Sequence, residues 1–305
     1  MVKFGVRNGF QRYQCRVCKR TRSDIPENPL VNLRVPFEKA AQVAALLVEG
    51  NGVRSCERLT QLNRRTVLGV LRVAGEKCAE LLDRKIRNVK AEYVQADELA
   101  CFVKTKEQNT MQGDLEHGQF FTFLSVDMFS KLIIGWRVDK RTREAAEAFM
   151  LDLKARVPTR FQLSTDAWQV YRKDTGAVRQ VFGNEIDYAT EQKIFSTRKP
   201  IGAARFFPLR LSGIKKSRCI GFPYMKLITT SHCERTNLTV RLFNRRFTRC
   251  TLGYSKTLEN LRHAVALFVA HFNFCRVHSA LGMTPAQAAG LTDHTWTIAE
   301  LLSTH

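Results

Sequence analysis

Between residues 37 and 90 apolar side chains recur every three or four positions, and from residue 91 onward the period shortens to that of strands. In FEKAAQVAALLVE (37–49), Ala40, Val43, Ala44, Leu47 and Val48 share one helical face, and Gly50, Asn51 and Gly52 end it. VRSCERLTQ (53–61) predicts a short second helix. Asn63 is placed to cap a third helix that starts at Arg64 and runs through RRTVLGVLRVAGEKCAELLDRK. Upstream, Pro26, Pro29 and Pro36 forbid a continuous helix and predict a linker over 23–36.

The run AEYVQADELACFVK (91–104) predicts a mostly buried strand. Two apolar runs, FFTFLSVDMF (120–129) and KLIIGWRV (131–138), predict an antiparallel hairpin. TREAAEAFMLDLKARV predicts an amphipathic helix capped by Thr142, with Ala145, Phe149, Leu153 and Val157 facing inward. RFQLSTDAW (160–168) predicts a fourth strand. Residues 172–222 predict short strands around 178–182 and 186–189, then a basic loop over STRKPIGAARFFPLRLSGIKKSRC. Thr230 or Ser231 caps a helix carrying Glu234, and a long amphipathic helix covers 257–275. Strand, hairpin, helix and strand together predict an α/β fold, a mixed sheet flanked by helices.

Composition adds a partner. The 305 residues hold 49 Lys+Arg against 28 Asp+Glu, a net charge of +21 spread along the whole chain. A basic surface of this size suits a polyanion. Helix, tight turn and a helix opening on Arg64, Arg65 and Thr66 is the helix-turn-helix arrangement, whose last helix enters the DNA major groove with its first residues. No run approaches the ~18 apolar residues of a membrane span, and the N-terminus lacks the apolar core of a secretory signal. Nine cysteines without regular spacing read as reduced thiols of a cytoplasmic protein. Cys15 and Cys18 form one C-x-x-C knuckle. A tetrahedral zinc site needs two such pairs, so they read as reduced cysteines in a basic arm.

The candidate chemistry is carboxylate chemistry. An ionised acid in an apolar strand is costly unless paired or metal-bound, and Asp97 arrives in such a strand. Asp166 ends the fourth strand, and Glu234 lies near the start of a helix. Glu98 is expected on the opposite face of its strand, away from any site. Asp127 reads as a turn residue. Asn237 and Arg241 share the face of Glu234, able to orient a carboxylate or hold a phosphate, and His232 lies two residues before it. Arg241, Arg245, Arg246 and Arg249 make the same region basic enough to track a DNA backbone. Asn273, Arg276 and His278 are explained as well by packing and capping as by chemistry.

QADELACFV, FLSVDMFSKLIIGWRV, STDAWQVY and ERTNLTVRLFNRRFTRCTLGYSKTLENLRHAVALFVAHFNFCRVHSALGMTPAQAAG resemble the DDE transposases of the bacterial insertion sequence 1 type, over roughly the whole chain. The resemblance implies a partial zinc-knuckle arm and linker (1–36), an all-α helix-turn-helix domain (37–90), a ribonuclease H-like catalytic domain (91–290) and a tail (291–305). It implies Asp97, Asp166 and Glu234 as ligands of two Mg²⁺ or Mn²⁺ ions, double-stranded DNA as substrate, and a homo-oligomer that joins two DNA ends. Phosphodiester transfer by two metals needs oxygen ligands and no protein nucleophile, which suits these acids. The chain departs from the family at Ala100, where an aromatic is common, and at Ala167, where Gly is. Competing readings are an inactive or domesticated transposase acting as a DNA-binding regulator, and a structure-specific nuclease.

Overall fold

The computed structural model describes the chain except for residues 8–9, 24–29, 31–32, 112, 173, 197–209, 250 and 304–305. The linker expected over 23–36 and much of the basic loop after residue 196 therefore lie largely outside the described residues.

A six-stranded mixed sheet forms the centre. Its strands are β4 (Tyr93–Val103), β5 (Gly118–Asp127), β6 (Ile133–Asp139), β7 (Gln162–Asp166), β8 (Asp187–Phe195) and β9 (Leu211–Ile220), in the order β6-β5-β4-β7-β8-β9. β5 and β6 are the expected hairpin, paired antiparallel with each other, and β5 is antiparallel to β4. β4 and β7 are parallel, as are β7 and β8, while β9 returns antiparallel on the edge. Between β6 and β7 runs α4 (Arg143–Arg156), capped by Thr142 as its sequence predicts. Asp127 makes the β5–β6 turn, its Oδ2 accepting from the Ser130 N–H (2.7 Å) and hydroxyl (2.6 Å).

Two expectations are corrected. The stretch around Val178 is not a strand but the helix α6 (Ala177–Phe182), following the single turn α5 (Gln169–Arg172). The end of the expected loop is β9, a strand whose charged, mostly exposed side chains hide its alternation, as edge strands often do. The N-terminal arm is a small antiparallel sheet of β1 (Val2–Arg7), β2 (Phe10–Gln14) and β3 (Thr21–Ser23). Cys15 and Cys18 lie in the β2–β3 turn. Backbone N–H groups of Cys18 and Val17 at the Cys15 sulfur hold its thiol below the usual range. All described cysteines are free.

The helices α1 (Phe37–Val48), α2 (Val53–Thr60) and α3 (Arg64–Lys85) follow the sequence pattern closely. Gln61 takes a left-handed conformation in the α2–α3 turn, and the Asn63 side chain accepts from Arg65 N (2.9 Å). Their buried residues join one apolar cluster that also includes the sheet and α8 (Leu258–Phe274). The last residues complete it: Trp296 packs on Phe274, and α10 (Ile298–Ser303) buries Leu301 and Leu302. No described helix is long and apolar enough to cross a membrane.

Candidate active site

Asp97 and Asp166 are brought together by strand register. β4 pairs with β7 from Tyr93↔Gln162 to Ala96↔Thr165, so the next residue on each strand is one of the two acids. Asp166 ends β7, and Asp97 is the first residue of β4 past their parallel pairing, on the side where open α/β sheets carry their sites. α7 (Ser231–Phe243) crosses in front and brings Glu234 to the same cavity of about 490 Å³. All three acids singled out by sequence line that one cavity.

Glu98 is there too. One carboxylate oxygen each from Asp97, Glu98 and Asp166 lies within 4.8 Å of the others. Strand alternation alone sends residue 98 to the opposite face; here its side chain, 2 % exposed, is drawn to the strand end by Arg141 (3.0 Å). Arg141 also reaches Asp166 (3.5 Å), and its guanidinium lies over the rings of Trp168 (4.3 Å to the centroid) and Phe121 (5.5 Å). Trp168 N–H donates to Asp166 Oδ1 (3.0 Å).

These acids crowd one another. Burial, then the charges of Asp166 and Glu234, pushes Asp97 up to about 6, against a lowering hydrogen bond from Asn237 Nδ2 to Asp97 Oδ2 (2.8 Å). Burial, then Asp166, pushes Glu98 up to about 7, against a lowering hydrogen bond from the buried Tyr171 hydroxyl.

Glu234 is held differently. Its Oε2 accepts from Lys193 Nζ on β8, and its Oε1 from the Thr230 hydroxyl (2.9 Å). Thr230 precedes the helix without a side-chain cap bond. Its N–H instead donates to Glu191 Oε2 (2.8 Å), which also lies 3.2 Å from the hydroxyl oxygen. Gln95 on β4 anchors the helix start, its Oε1 accepting from the N–H groups of His232 (2.9 Å) and Cys233 (3.1 Å). Both are among the first helical N–H groups, which have no partner within the helix. Gln95→Leu is expected to cost about 1–3 kcal/mol by leaving them buried and unbonded. Thermal melting measures the loss, and an unchanged melting temperature would show that Gln95 is no anchor of the helix start.

Of the other sequence candidates, Asn237 reaches Asp97 and Arg241 lines the cavity. The His232 ring does not serve the acids. Its Nδ1 lies 3.2 Å from Lys131 Nζ at the β5–β6 turn, and burial lowers its pKa. α7 ends at Phe243, so Arg245 and Arg246 lie in a following 3-10 turn and do not extend a basic helix. Arg245 is exposed, but Arg246 turns inward, donating from Nε to Ser255 Oγ (2.9 Å), and burial pushes it down to about 10. Arg64 and Arg65 are exposed and Thr66 half-buried at the start of α3. Asn273 is structural, its side chain bonding both N–H and C=O of Ile133. Sequence reading turned Glu98 away from the site and did not single out Arg141, Glu191 and Lys193, because the sheet's non-local pairing brings them in. An acid followed by a second acid on a buried strand was the one local signal.

No family model matches the chain, and no curated protein does. Among solved structures it is similar to the simian T-cell lymphotropic virus intasome in complex with PP2A regulatory subunit B56 gamma. That match has 16% identity and a TM-score of 0.36, over 82% of this chain and 74% of the other. It is also similar to the Mos1 strand transfer complex, with 15% identity and a TM-score of 0.22, over 50% of this chain and 58% of the other. For the Mos1 transposase paired-end complex with left transposon end the values are 16%, 0.21, 50% and 59%. The chain thus spans less than two thirds of the Mos1 chains. Likenesses this distant carry no functional conclusion, which must rest on the site itself.

Proposed function

We propose that the chain is a DDE-type transposase of the insertion sequence 1 type, cutting and joining DNA strands at the ends of a mobile element with the help of divalent metal. The observation that carries this reading is the meeting of Asp97, Asp166 and Glu234 at one cavity, on a chain of net charge +21.

The donor set fits a hard cation. The carboxylates of Asp97, Glu98 and Asp166 converge, and Asp97 and Glu98 are pushed upward chiefly by burial and then by their neighbours' charges. Asp97 and Asp166 would hold Mg²⁺ or Mn²⁺, with Glu234 completing the set once Lys193 releases it; Glu98 is a further oxygen donor in reach. What bound metal supplies here is neutralisation of phosphate charge and a more acidic attacking water or 3′-hydroxyl. The residues around it position the acids. Asn237 fixes the Asp97 carboxylate, Thr230 fixes Glu234, and Arg141 clamps Asp166 and Glu98 while screening their repulsion. Arg241 faces the cavity, where it can hold a DNA phosphate, and Arg64, Arg65 and Thr66 are proposed to read the end sequence. Arg245 is proposed to contact the DNA backbone. Joining two ends in one event calls for a homo-oligomer.

The pH dependence of metal binding tests the donor set. Asp97 and Glu98 have folded-state values above those of free carboxyls, so the folded protein holds more protons than the unfolded one between about pH 4 and 7. Their contribution to stability therefore falls as pH rises through that window. A divalent cation binds the ionised forms and reverses the penalty. The rise in melting temperature caused by Mg²⁺ or Mn²⁺ over EDTA is expected to be small at pH 5.5 and larger at pH 8. An equal rise at both values would place the bound cation elsewhere.

The function itself is tested by strand cleavage and joining on the element's own end DNA. Metal-dependent joining supports the enzyme. Cleavage without joining selects the nuclease reading, and binding without chemistry selects the regulator.

A further inference from the structure

Beyond Ala96, β4 outruns its pairing with β7 and remains bonded only to β5 as far as Val103. The segment after α7 folds over this overhang. Ser255 bridges to Val103, and Lys104 N–H donates to Ser255 C=O (2.9 Å). Between overhang and segment lies a second cavity, of about 670 Å³, distinct from the acidic one.

Its lining has a consistent chemistry. Phe102 and Tyr254, 4.5 Å apart between ring centroids, make an aromatic wall, and Leu252 stands at the rim 86 % exposed. Lys104, Lys106, Arg246 and Arg249 line it as well, and among the described residues no acid does. The Arg246 guanidinium is the telling group. The residue is half-buried and its Nε donates to Ser255 Oγ (2.9 Å), with no carboxylate pairing the guanidinium among the described residues. A cation held this way is costly until an anion reaches it. Ala100, exposed on β4, opens the cavity where a larger side chain would close it.

We infer that this cavity receives one unstacked nucleotide of the DNA strand whose phosphate reacts at Asp97, the base against Phe102 and Tyr254 and a phosphate on Arg246 and Arg249. The inference rests on the proposed DNA-joining function and names a subsite within it. The lining residues of β4 lie three to five positions beyond Asp97, roughly 10–17 Å at strand rise, which sets the nucleotide a short way along the strand from the reacting phosphate. Apolar walls take the base whatever its identity, and the cations take its backbone.

The test uses the full chain and end-sequence duplexes carrying 2-aminopurine at successive positions from the end, in EDTA so that no strand is cut. Wild type is expected to brighten one position near the end. Ala100→Trp, which fills the cavity from an exposed strand position, should abolish that signal while duplex binding and melting temperature persist. Arg249→Gln, at an exposed site, should weaken binding of the signalling duplex on the order of tenfold. A signal absent at every position, or unchanged in Ala100→Trp, overturns the inference. So does its displacement by free deoxyadenylate or inorganic phosphate as readily as by unlabelled duplex, which would mark a site for a free phosphate ester. Strand joining measured beside it separates the two ideas. Joining without any Ala100-dependent signal sinks the subsite alone, and a persistent signal without joining sinks the enzyme reading alone.

Discussion

Asp97→Asn is expected to lower metal-dependent strand joining by at least about 10³-fold while leaving DNA binding intact. The substitution keeps the size of the side chain and an oxygen able to accept from Asn237. What disappears is the negative charge on the central strand, next to Asp166 in register and facing Glu234. Asp166→Asn and Glu234→Gln should fall by a similar factor, and the triple variant little further, because ligands that act as a unit are not additive. Stability should move the other way. Burial and neighbouring carboxylates make the ionised Asp97 unfavourable, so in EDTA at pH 8 Asp97→Asn should melt at or above the wild-type temperature. Lost function with preserved or increased stability marks a residue kept for chemistry, since a structural acid costs stability when removed. Equal joining by wild type and Asp97→Asn would remove the enzyme reading altogether.

That carboxylate group shows where sequence reading succeeds. β4, β5 and β6 were legible because each is a long apolar run whose burial on both faces leaves no rival reading. Helix starts were legible through local chemistry: Asn63 and Thr142 each accept a hydrogen bond from the first turn they cap. Asp97, Asp166 and Glu234 stood out as acids in apolar or helix-start contexts. What failed was set by distant partners. AVRQVF has the β-branched content of a strand, yet its buried residues Ala177, Val178 and Phe182 pack as a helix. β9 becomes a strand only because β8 offers it an edge. Glu98 joins the site through Arg141, a residue 43 positions away, and Lys193 reaches Glu234 across 41. Arg246 reads as one more surface cation in an arginine-rich stretch, and only the fold over β4 turns it inward.

Gly75→Val is expected to be the most destabilising single change outside the sheet, by about 3 kcal/mol or more. α3 lies against α8 at this residue. A Cβ built on Gly75 would stand 2.4 Å from the Cβ of His263, 2.6 Å from its Cα and 2.7 Å from its carbonyl oxygen. Two of these are backbone atoms of a packed helix and cannot swing aside, so the helices must separate. Separation would loosen the shared core of Val70, Leu71, Ala74 and Cys78 with Ala264 and Leu267. Gly69, on the same helix, is the internal control. The nearest atom to its Cβ position is Leu33 Cδ2 at 3.7 Å, an ordinary contact. Gly69→Ala should therefore be neutral or stabilising by up to ~1 kcal/mol through helix propensity, while Gly75→Ala should cost roughly 1–3 kcal/mol. Urea unfolding of the three variants measures the contrast. Opposite signs for alanine at two glycines of one helix can come only from what faces them, so like signs would mean that α3 does not rest on α8 at Gly75. The consequence reaches DNA binding as well. Arg64, Arg65 and Thr66 open the helix that Gly75 seats, so Gly75→Val should also weaken end-DNA binding while leaving all three residues in place.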